Sequence, residues 1–224
     1  MVDIDLGLHG RIVAVIGGSS GIGADVARVF AEEGCDVAVT YRSSPQGAEA
    51  AATDVRSHGR RAWVAPLDLG TPQAATRDSL ALVADVRELD ALVLCAGYNA
   101  VTPYDQIDAA EWGRVLNANL TGAFFALQAI TPAICSGGSL VTVASVAAHT
   151  GAPHHMHYAA AKAGLVNLTK SLARELAPRV RANCVAPGLT LTPMGEDAIE
   201  NLPMTTRSGA CYPSVMPQAN GSLS

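Results

Sequence analysis

Short apolar runs rich in β-branched residues alternate with helical patterns along most of the chain, and this alternation constrains the fold more than any other feature. The first run, Arg11–Gly17 (RIVAVIG), is continuously apolar after its arginine, as expected for a strand that is buried on both faces. Five further runs are predicted to be strands: Asp36–Tyr41, Arg61–Leu67, Leu89–Cys95, Ser139–Ala144 and Val180–Ala186. Six strand–helix units in this order predict an α/β fold, a doubly wound parallel sheet with helices on both faces.

The longest helical patterns lie in the second half of the chain. One covers Asp108–Ile134 and a second runs from about His155 to Ala177, with an apolar stripe of leucines at helical spacing. No internal repeat or linker divides the chain, so residues 1–195 are interpreted as one domain that binds a ligand at the carboxyl ends of its strands.

The C-terminal tail, residues 196–224, differs in character from the rest. Residues 208–224 carry no charged side chain and are rich in Pro, Ser, Gly and Asn, which predicts an irregular segment. It contains no seventh β-branched run, and the sixth strand is therefore expected to form an unpaired edge of the sheet.

Composition argues against several classes of partner. With a net charge of -5 and scattered basic residues, the chain is not expected to bind nucleic acid. It has no apolar stretch long enough to span a bilayer and no secretory signal, so a cytoplasmic protein is expected. Five cysteines lie far apart without a Cys-x-x-Cys pair, and the histidines at 149, 154, 155 and 157 lack companion ligands. No metal site is predicted, although these histidines could line a pocket.

A glycine-rich turn follows the first predicted strand and precedes its helix. Gly17, Gly21 and Gly23 permit a tight turn and a close backbone approach, while the helix N–H groups can face a pyrophosphate. Ser19, Ser20 and Ile22 lie within the same turn, and the two serines supply further donors. A plain strand–helix turn is the alternative interpretation, but the combination favours a Rossmann-like dinucleotide site.

The end of the second strand helps to choose the dinucleotide. Tyr41, Arg42 and Ser43 stand where an NAD site usually has a carboxylate, and Arg42 could form paired hydrogen bonds with a 2′-phosphate. Asp36 begins this strand and therefore points to the wrong end. NADP(H) is accordingly favoured over NAD(H), and Asp68, next to Leu69, is a candidate to receive the adenine amino group.

Tyr158 and Lys162 lie four residues apart on a predicted helix, so their side chains share one face. A cation near a tyrosine hydroxyl can lower its pKa by about 1–3 pH units and make the phenol a usable acid or base. Ser145, upstream of this pair, could complete a proton-transfer site.

Together these residues resemble the short-chain dehydrogenase/reductase family over about residues 7–195. The resemblance is carried by the turn at 17–23, Cys95-Ala96-Gly97, Asn119, Ser145, Tyr158-Ala-Ala-Ala-Lys162 and Pro187-Gly188. It implies a catalytic tetrad of Asn119, Ser145, Tyr158 and Lys162.

The resemblance also implies further roles. Ala96, Gly97, Pro187, Gly188 and Thr192 would line the cofactor, and Tyr158 and Lys162 would contact it as well. Ser145 would bind a carbonyl oxygen, Tyr158 would protonate it, and Lys162 would lower the pKa of Tyr158. The substrate would be a small carbonyl compound or alcohol.

Departures from the family pattern leave alternatives open. Ile16 and Leu94-Cys95 replace polar residues that normally tie strand ends together, and the usual seventh strand is not evident. An NAD-dependent alcohol or sugar dehydrogenase, and a shortened protein that binds dinucleotide with little or no turnover, both remain possible. A homodimer through the long helices is expected, whereas a tetramer is doubtful without the seventh strand.

Overall fold

The structure, a computed structural model, describes residues 6–200, and side chains as far as Glu196. Its strands are β1 (Ile12–Ile16), β2 (Asp36–Tyr41), β3 (Ala62–Pro66), β4 (Leu89–Leu94), β5 (Ile134–Val143) and β6 (Val180–Val185). All neighbouring strands are parallel, in the order β3-β2-β1-β4-β5-β6. The predicted Rossmann-like α/β sheet of six strands is confirmed.

Eight α-helices of the described chain flank this sheet or join its strands. They are α1 (Gly21–Glu32), α2 (Pro45–Ser57), α3 (Pro72–Val86), α4 (Ala109–Leu116), α5 (Gly122–Ile130), α6 (Ala147–Thr150), α7 (Met156–Glu175) and α8 (Pro193–Glu200). Leucines and alanines of α3, α5 and α7 pack on one face of the sheet, while α1 and α2 pack on the other. Because both faces are covered, the central strands β1 and β4 are apolar except for Asp90 near the start of β4.

The long helical region predicted at 108–134 is interrupted. After α4, Asn117–Thr121 forms a π-helical turn, and Thr131–Ala133 forms a short 3-10 turn ahead of β5. The side-chain amide of Asn119 donates to the carbonyl of Val115 at 2.9 Å, the group that its own backbone N–H would use in an α-helix. Insertion of a side chain into the hydrogen-bond ladder accounts for the wider turn.

The edge formed by β6 is open within the part of the chain that is described. Over residues 6–200, β6 pairs with β5 alone, and Val185 remains 52% exposed. Helix α8 crosses the expected domain boundary at residue 195. The remainder of the atypical tail, from residue 201, and with it the question of a seventh strand, lie outside the described residues.

Candidate active site

The glycine turn lies between β1 and α1 and leaves the first N–H groups of the helix without a side-chain cap. Ser20 is the N-cap of α1 but makes no capping hydrogen bond. By contrast, side chains of Ser44, Thr71 and Asp108 cap α2, α3 and α4. Uncapped N–H groups at a helix N-terminus form a ready anion site, so α1 differs from α2, α3 and α4 in the way that phosphate binding requires.

This turn has no room for a Cβ atom at Gly17 or Gly23. A Cβ on Gly23 would collide with the carbonyl oxygen of Gly17, and a Cβ on Gly17 would lie 2.6 Å from the Cα of Ala96. Gly17 and Gly21 also have positive φ angles of 83° and 52°. The turn therefore needs glycine both for its close contacts and for its backbone conformation.

Other hydrogen bonds fasten this turn at the positions where the usual polar residues are missing. The carbonyl of Ile16 accepts the N–H groups of Cys95 and Ala96 at 2.9 and 2.8 Å, so the backbone joins the ends of β1 and β4. The hydroxyl of Thr40 accepts the N–H of Gly17 at 3.1 Å. Thr40 was not anticipated from the sequence, because its role depends on the pairing of β1 with β2.

Beyond the end of β2, the exposed guanidinium of Arg42 lies 5.9 Å from the ring centroid of Tyr98, within cation–π range. Asp36, at the opposite end of β2, pairs with Arg60 at 3.0 Å and with Arg61 at 2.7 Å. The carboxylate of β2 is thus engaged far from the glycine turn, and a cation stands near the turn instead.

A cleft of about 220 Å³ runs along the carboxyl ends of the strands and collects most of the predicted cofactor residues. Those lining it are Gly17, Ser19, Ser20, Gly21, Ile22, Gly23, Tyr41, Arg42, Ser43, Asp68, Leu69, Ala96, Gly97 and Thr192. Leu67, Gly70, Cys95, Ala118, Pro193 and Met194 line it as well and were not predicted to do so. Their side chains are apolar or small, and sequence reasoning had no chemical signal by which to select them.

Ser145 lies next to Tyr158 and offers its phenol a hydrogen bond that tends to lower the pKa of Tyr158. The Ser145 oxygen also accepts the N–H of Ala147 at 3.2 Å, which fixes the position of its side chain. Burial raises the pKa of Tyr158 above its usual range, and the bond to Ser145 opposes this increase only in part. The direction is opposite to the lowered pKa that the nearby lysine was expected to produce.

The position of Lys162 explains that difference. Its side chain is buried, and Nζ donates to the carbonyl oxygen of Val143 at 2.9 Å while lying 5.6 Å from the centroid of the Tyr158 ring. Burial lowers the pKa of Lys162 to about 8. The ammonium is therefore beside the tyrosine ring, but its hydrogen bond in this structure goes to the backbone of β5.

Asn119 lies on the π-helical turn and holds the loop that follows β4. Its amide donates to the carbonyl of Tyr98 at 2.6 Å, and its oxygen accepts the N–H of Tyr98 at 3.2 Å. A Cβ on Gly97 would lie 2.8 Å from Asn119 Oδ1 and 3.3 Å from Lys162 Nζ. Asn119, Gly97 and Lys162 thus converge, and only glycine fits between the two side chains.

Four residues predicted to contact the cofactor do not line the cleft: Tyr158, Lys162, Pro187 and Gly188. Pro187 nevertheless lies close to Ser145. Its carbonyl accepts the N–H of Val146, the residue after Ser145, at 3.0 Å. The carbonyl of Gly188 accepts the hydroxyl of Thr190 at 3.2 Å. The segment after β6 is thereby placed beside the predicted catalytic group.

Neither a metal-binding cluster nor a membrane-spanning helix is found among residues 6–200. Over these residues, no three His, Cys, Asp or Glu side chains are grouped so that they could bind a metal ion. Likewise, none of the described helices is long and apolar enough to cross a membrane.

Comparison with known proteins agrees with this arrangement. The family model described as short chain dehydrogenase matches residues 11–203. The uncharacterized oxidoreductase YohF of Escherichia coli is 35% identical over 188 residues, which are 82% of this chain and 74% of that protein. The 3-oxoacyl-[acyl-carrier-protein] reductase FabG of Staphylococcus aureus is 34% identical over 191 residues, 84% of this chain and 78% of that protein.

Solved structures give the same result. A short-chain dehydrogenase from Burkholderia cenocepacia, in complex with NADP, superimposes with a TM-score of 0.79 at 35% identity, covering 84% of this chain and 77% of that one. Acetoin dehydrogenase from Enterobacter cloacae gives a TM-score of 0.77 at 36% identity, covering 84% and 76% of the two chains. The chain belongs to the short-chain dehydrogenase/reductase family of oxidoreductases.

Proposed function

We propose that this protein is an NADP(H)-dependent oxidoreductase that interconverts a ketone or aldehyde and an alcohol, with Tyr158 as general acid and base. The observation that carries the proposal is the placement of Ser145 next to Tyr158, beside the buried ammonium of Lys162 and next to the glycine-lined cleft. This arrangement supplies groups that can bind a carbonyl oxygen and exchange a proton with it.

The cleft fits a dinucleotide on three counts. Its glycine turn has no room for a Cβ at Gly17 or Gly23, the first N–H groups of α1 have no side-chain cap, and Arg42 stands at one end. The turn and α1 would hold the pyrophosphate, and Asp68 would receive the adenine amino group. A nicotinamide cofactor, when bound, supplies the hydride of the reaction.

The residues of the chain handle the oxygen and its proton. In the reductive direction Ser145 donates a hydrogen bond to the carbonyl oxygen, and Tyr158 transfers its phenolic proton to the same atom. Because burial raises the pKa of Tyr158, the phenol is protonated at neutral pH and ready to act as the acid. The positive charge of Lys162 stabilises the tyrosinate that forms, and Asn119 holds the loop beside Lys162 in place.

The preference for NADP(H) over NAD(H) depends on Arg42. A guanidinium at the end of β2 can neutralise a 2′-phosphate and bind two of its oxygens, and Ser43 adds a hydroxyl. Asp36, the carboxylate of this strand, is engaged by Arg60 and Arg61 at the far end. The Burkholderia cenocepacia relative, whose structure contains NADP, lends support to this preference.

A fluorescence titration with NADPH and with NADH tests the cofactor assignment. Arg42→Ala is expected to raise the Kd for NADPH by about 10–100-fold, because charge-assisted hydrogen bonds contribute about 1.5–3 kcal/mol, while the Kd for NADH changes little. Arg56→Ala is the matched control, since Arg56 pairs with Glu49 on the exposed side of α2. Equal loss for both dinucleotides, or no loss for either, would contradict the role of Arg42.

Turnover is tested separately from binding. Tyr158→Phe removes the phenolic proton and is expected to abolish reduction of a panel of ketones and aldehydes while NADPH still binds. A wild-type protein that binds NADPH but reduces no carbonyl compound in the panel would favour a dinucleotide-binding protein with little turnover over the proposed enzyme.

The proposal includes a homodimer through the helices that follow β4 and β5. Trp112 on α4 and Phe124 on α5 are 42% and 40% exposed and would be covered by such a contact. Sedimentation of the wild type and of Trp112→Glu tests this arrangement. A monomer in both cases would contradict it.

A further inference from the structure

His157 is fully buried one residue ahead of Tyr158, at the second position of α7. Its two ring nitrogens have different partners. Nδ1 accepts the backbone N–H of Tyr158 at 3.0 Å, and Nε2 lies 2.9 Å from Oε1 of Glu111 on α4. The imidazole therefore joins the backbone of the predicted acid to a carboxylate on another helix.

These partners fix the tautomer of the ring. Because Nδ1 faces an N–H group, it can only accept, and the ring proton must lie on Nε2, which donates to Glu111. A carboxylate accepts hydrogen bonds and donates none, so Glu111 favours that tautomer. Glu111 is itself held by the hydroxyl of Thr102 and lies 3.7 Å from Arg114.

The contact also replaces a missing helix cap. The first N–H groups of an α-helix have no partner within the helix, and His155, the N-cap of α7, makes no capping hydrogen bond. The Nδ1 atom of His155 instead lies 3.0 Å from Asn99 Oδ1 and 3.1 Å from the carbonyl of Ala100. His157 thus supplies an acceptor in the turn that aims Tyr158 at Ser145.

We propose that His157 and Glu111 are positioning residues for Tyr158: the imidazole holds the backbone of the general acid, and the carboxylate holds the imidazole in the required tautomer. This inference rests on the function proposed above and adds two residues to its machinery. Neither residue lines the cofactor cleft. Their effect is accordingly on the placement of the phenol, not on dinucleotide binding.

Three substitutions of His157 separate the two contacts. Asn carries an oxygen near the position of Nδ1 and can still accept the N–H of Tyr158. Gln carries an amide near the position of Nε2 and can still donate to Glu111. Leu does neither. We expect kcat to fall by about 10–100-fold in His157→Gln and His157→Leu, which is the range that misplacement of a reacting group produces. His157→Asn should keep most of the wild-type kcat, because it retains the acceptor for the N–H of Tyr158.

The Kd for NADPH is the readout that a merely structural role would move. We expect it to change less than about twofold in all three variants and in Glu111→Leu, because the cleft lacks these residues. His58→Asn, at the exposed end of α2, is the control. A parallel loss of kcat and NADPH affinity, or a His157→Asn protein no better than His157→Leu, would overturn the proposal.

A measurement that needs no substrate distinguishes failure of this inference from failure of the proposed function. In ¹⁵N spectra of the histidine-labelled wild type, His157 is expected to show an unprotonated Nδ1 and a protonated Nε2. Glu111→Leu should weaken that preference. The opposite tautomer in the wild type would refute the positioning role even if the enzyme is active, and the expected tautomer would support it even if no substrate is found.

Discussion

Replacing Lys162 by methionine should make the folded protein more stable while removing its proposed activity. The side chain is only 3% exposed, and burial lowers its pKa from 10.5 to about 8. At pH 7 the folded protein nevertheless carries the charged form. Because of that difference in pKa, burial of the charged lysine lowers the unfolding free energy at pH 7 by about 3 kcal/mol.

The sign follows from proton binding. Between pH 8 and pH 10.5 the unfolded chain holds the Lys162 proton while the folded protein has released it, so this group makes stability rise with pH in that range. Below pH 8 both states are charged and the full penalty applies. Methionine has no such penalty, but the substitution leaves the carbonyl of Val143 without its 2.9 Å partner, at a cost of about 1 kcal/mol. The net expected gain at pH 7 is about 2 kcal/mol.

Urea unfolding at pH 7 and pH 9.5 measures this gain. Lys162→Met should exceed the wild type at pH 7, and the difference should shrink at pH 9.5. Lys170→Met, at an exposed position on the same helix, is the control and should show no such pH dependence. Burial raises the pKa of Cys35 to about 11, but this thiol titrates in both proteins and cancels in the difference. A variant less stable than the wild type at pH 7, or a difference independent of pH, would refute the reasoning.

Three shorter predictions concern the glycine turn, the amino ends of the strands and the half-buried thiol of Cys95. Gly23→Ala should weaken NADPH binding at least about tenfold in a fluorescence titration, because its Cβ would collide with the turn. Gly113, in helix α4, has open space around it, and Gly113→Ala should therefore raise the unfolding free energy by about 0.5–1 kcal/mol. Although burial opposes the shift, hydrogen bonds from Arg61 and the charge of Arg60 lower the pKa of Asp36. Its stabilisation is therefore complete above pH 3.8 and is lost as pH falls through the folded pKa, and Asp36→Asn should flatten that part of an acid-unfolding curve. Burial raises the pKa of Cys95 to about 11, so iodoacetamide should label it far more slowly at pH 7 than an ordinary thiol, as peptide mass spectrometry would show.

Local patterns predicted those parts of the fold that depend on neighbours in sequence. The β-branched runs identified all six strands, and the glycine turn after β1 located the cleft without reference to distant residues. The interrupted helix after Asp108 was missed because its cause is tertiary. Asn119 inserts its amide against Val115 and also holds Tyr98, 21 positions away.

The histidines also show that a role which depends on a residue distant in sequence cannot be predicted from local spacing. Their spacing predicted only loop or pocket positions, since nothing within 149–157 indicates a partner. His157 acquires its role from Glu111, 46 positions upstream, through the packing of α4 against α7. The lowered pKa expected for Tyr158 is not found for a similar reason: helical spacing places Tyr158 and Lys162 on one face, but burial raises the pKa of the phenol and the hydrogen bond of Lys162 goes to the carbonyl of Val143.

The sheet has an amino edge, formed by the N-terminal ends of its strands, and a carboxyl edge, formed by their C-terminal ends. These two edges differ in a way that locates the site on physical grounds alone. At the amino edge polar groups satisfy one another: Asp36 binds two arginines, Asp90 accepts from Arg11 and from the N–H of Ile12, and Arg179 donates to the carbonyl of Ile134. At the carboxyl edge a helix begins without a side-chain cap, glycines occupy positions that exclude a side chain, and a lysine is buried at a lowered pKa. The missing cap and the buried charge both reduce stability, and substitutions could remove them if folding were the only requirement, whereas the glycines leave no room for a side chain. Their concentration at one edge is the reason to place the chemistry there, and it makes the gain in stability of Lys162→Met a direct measure of what the site costs the fold.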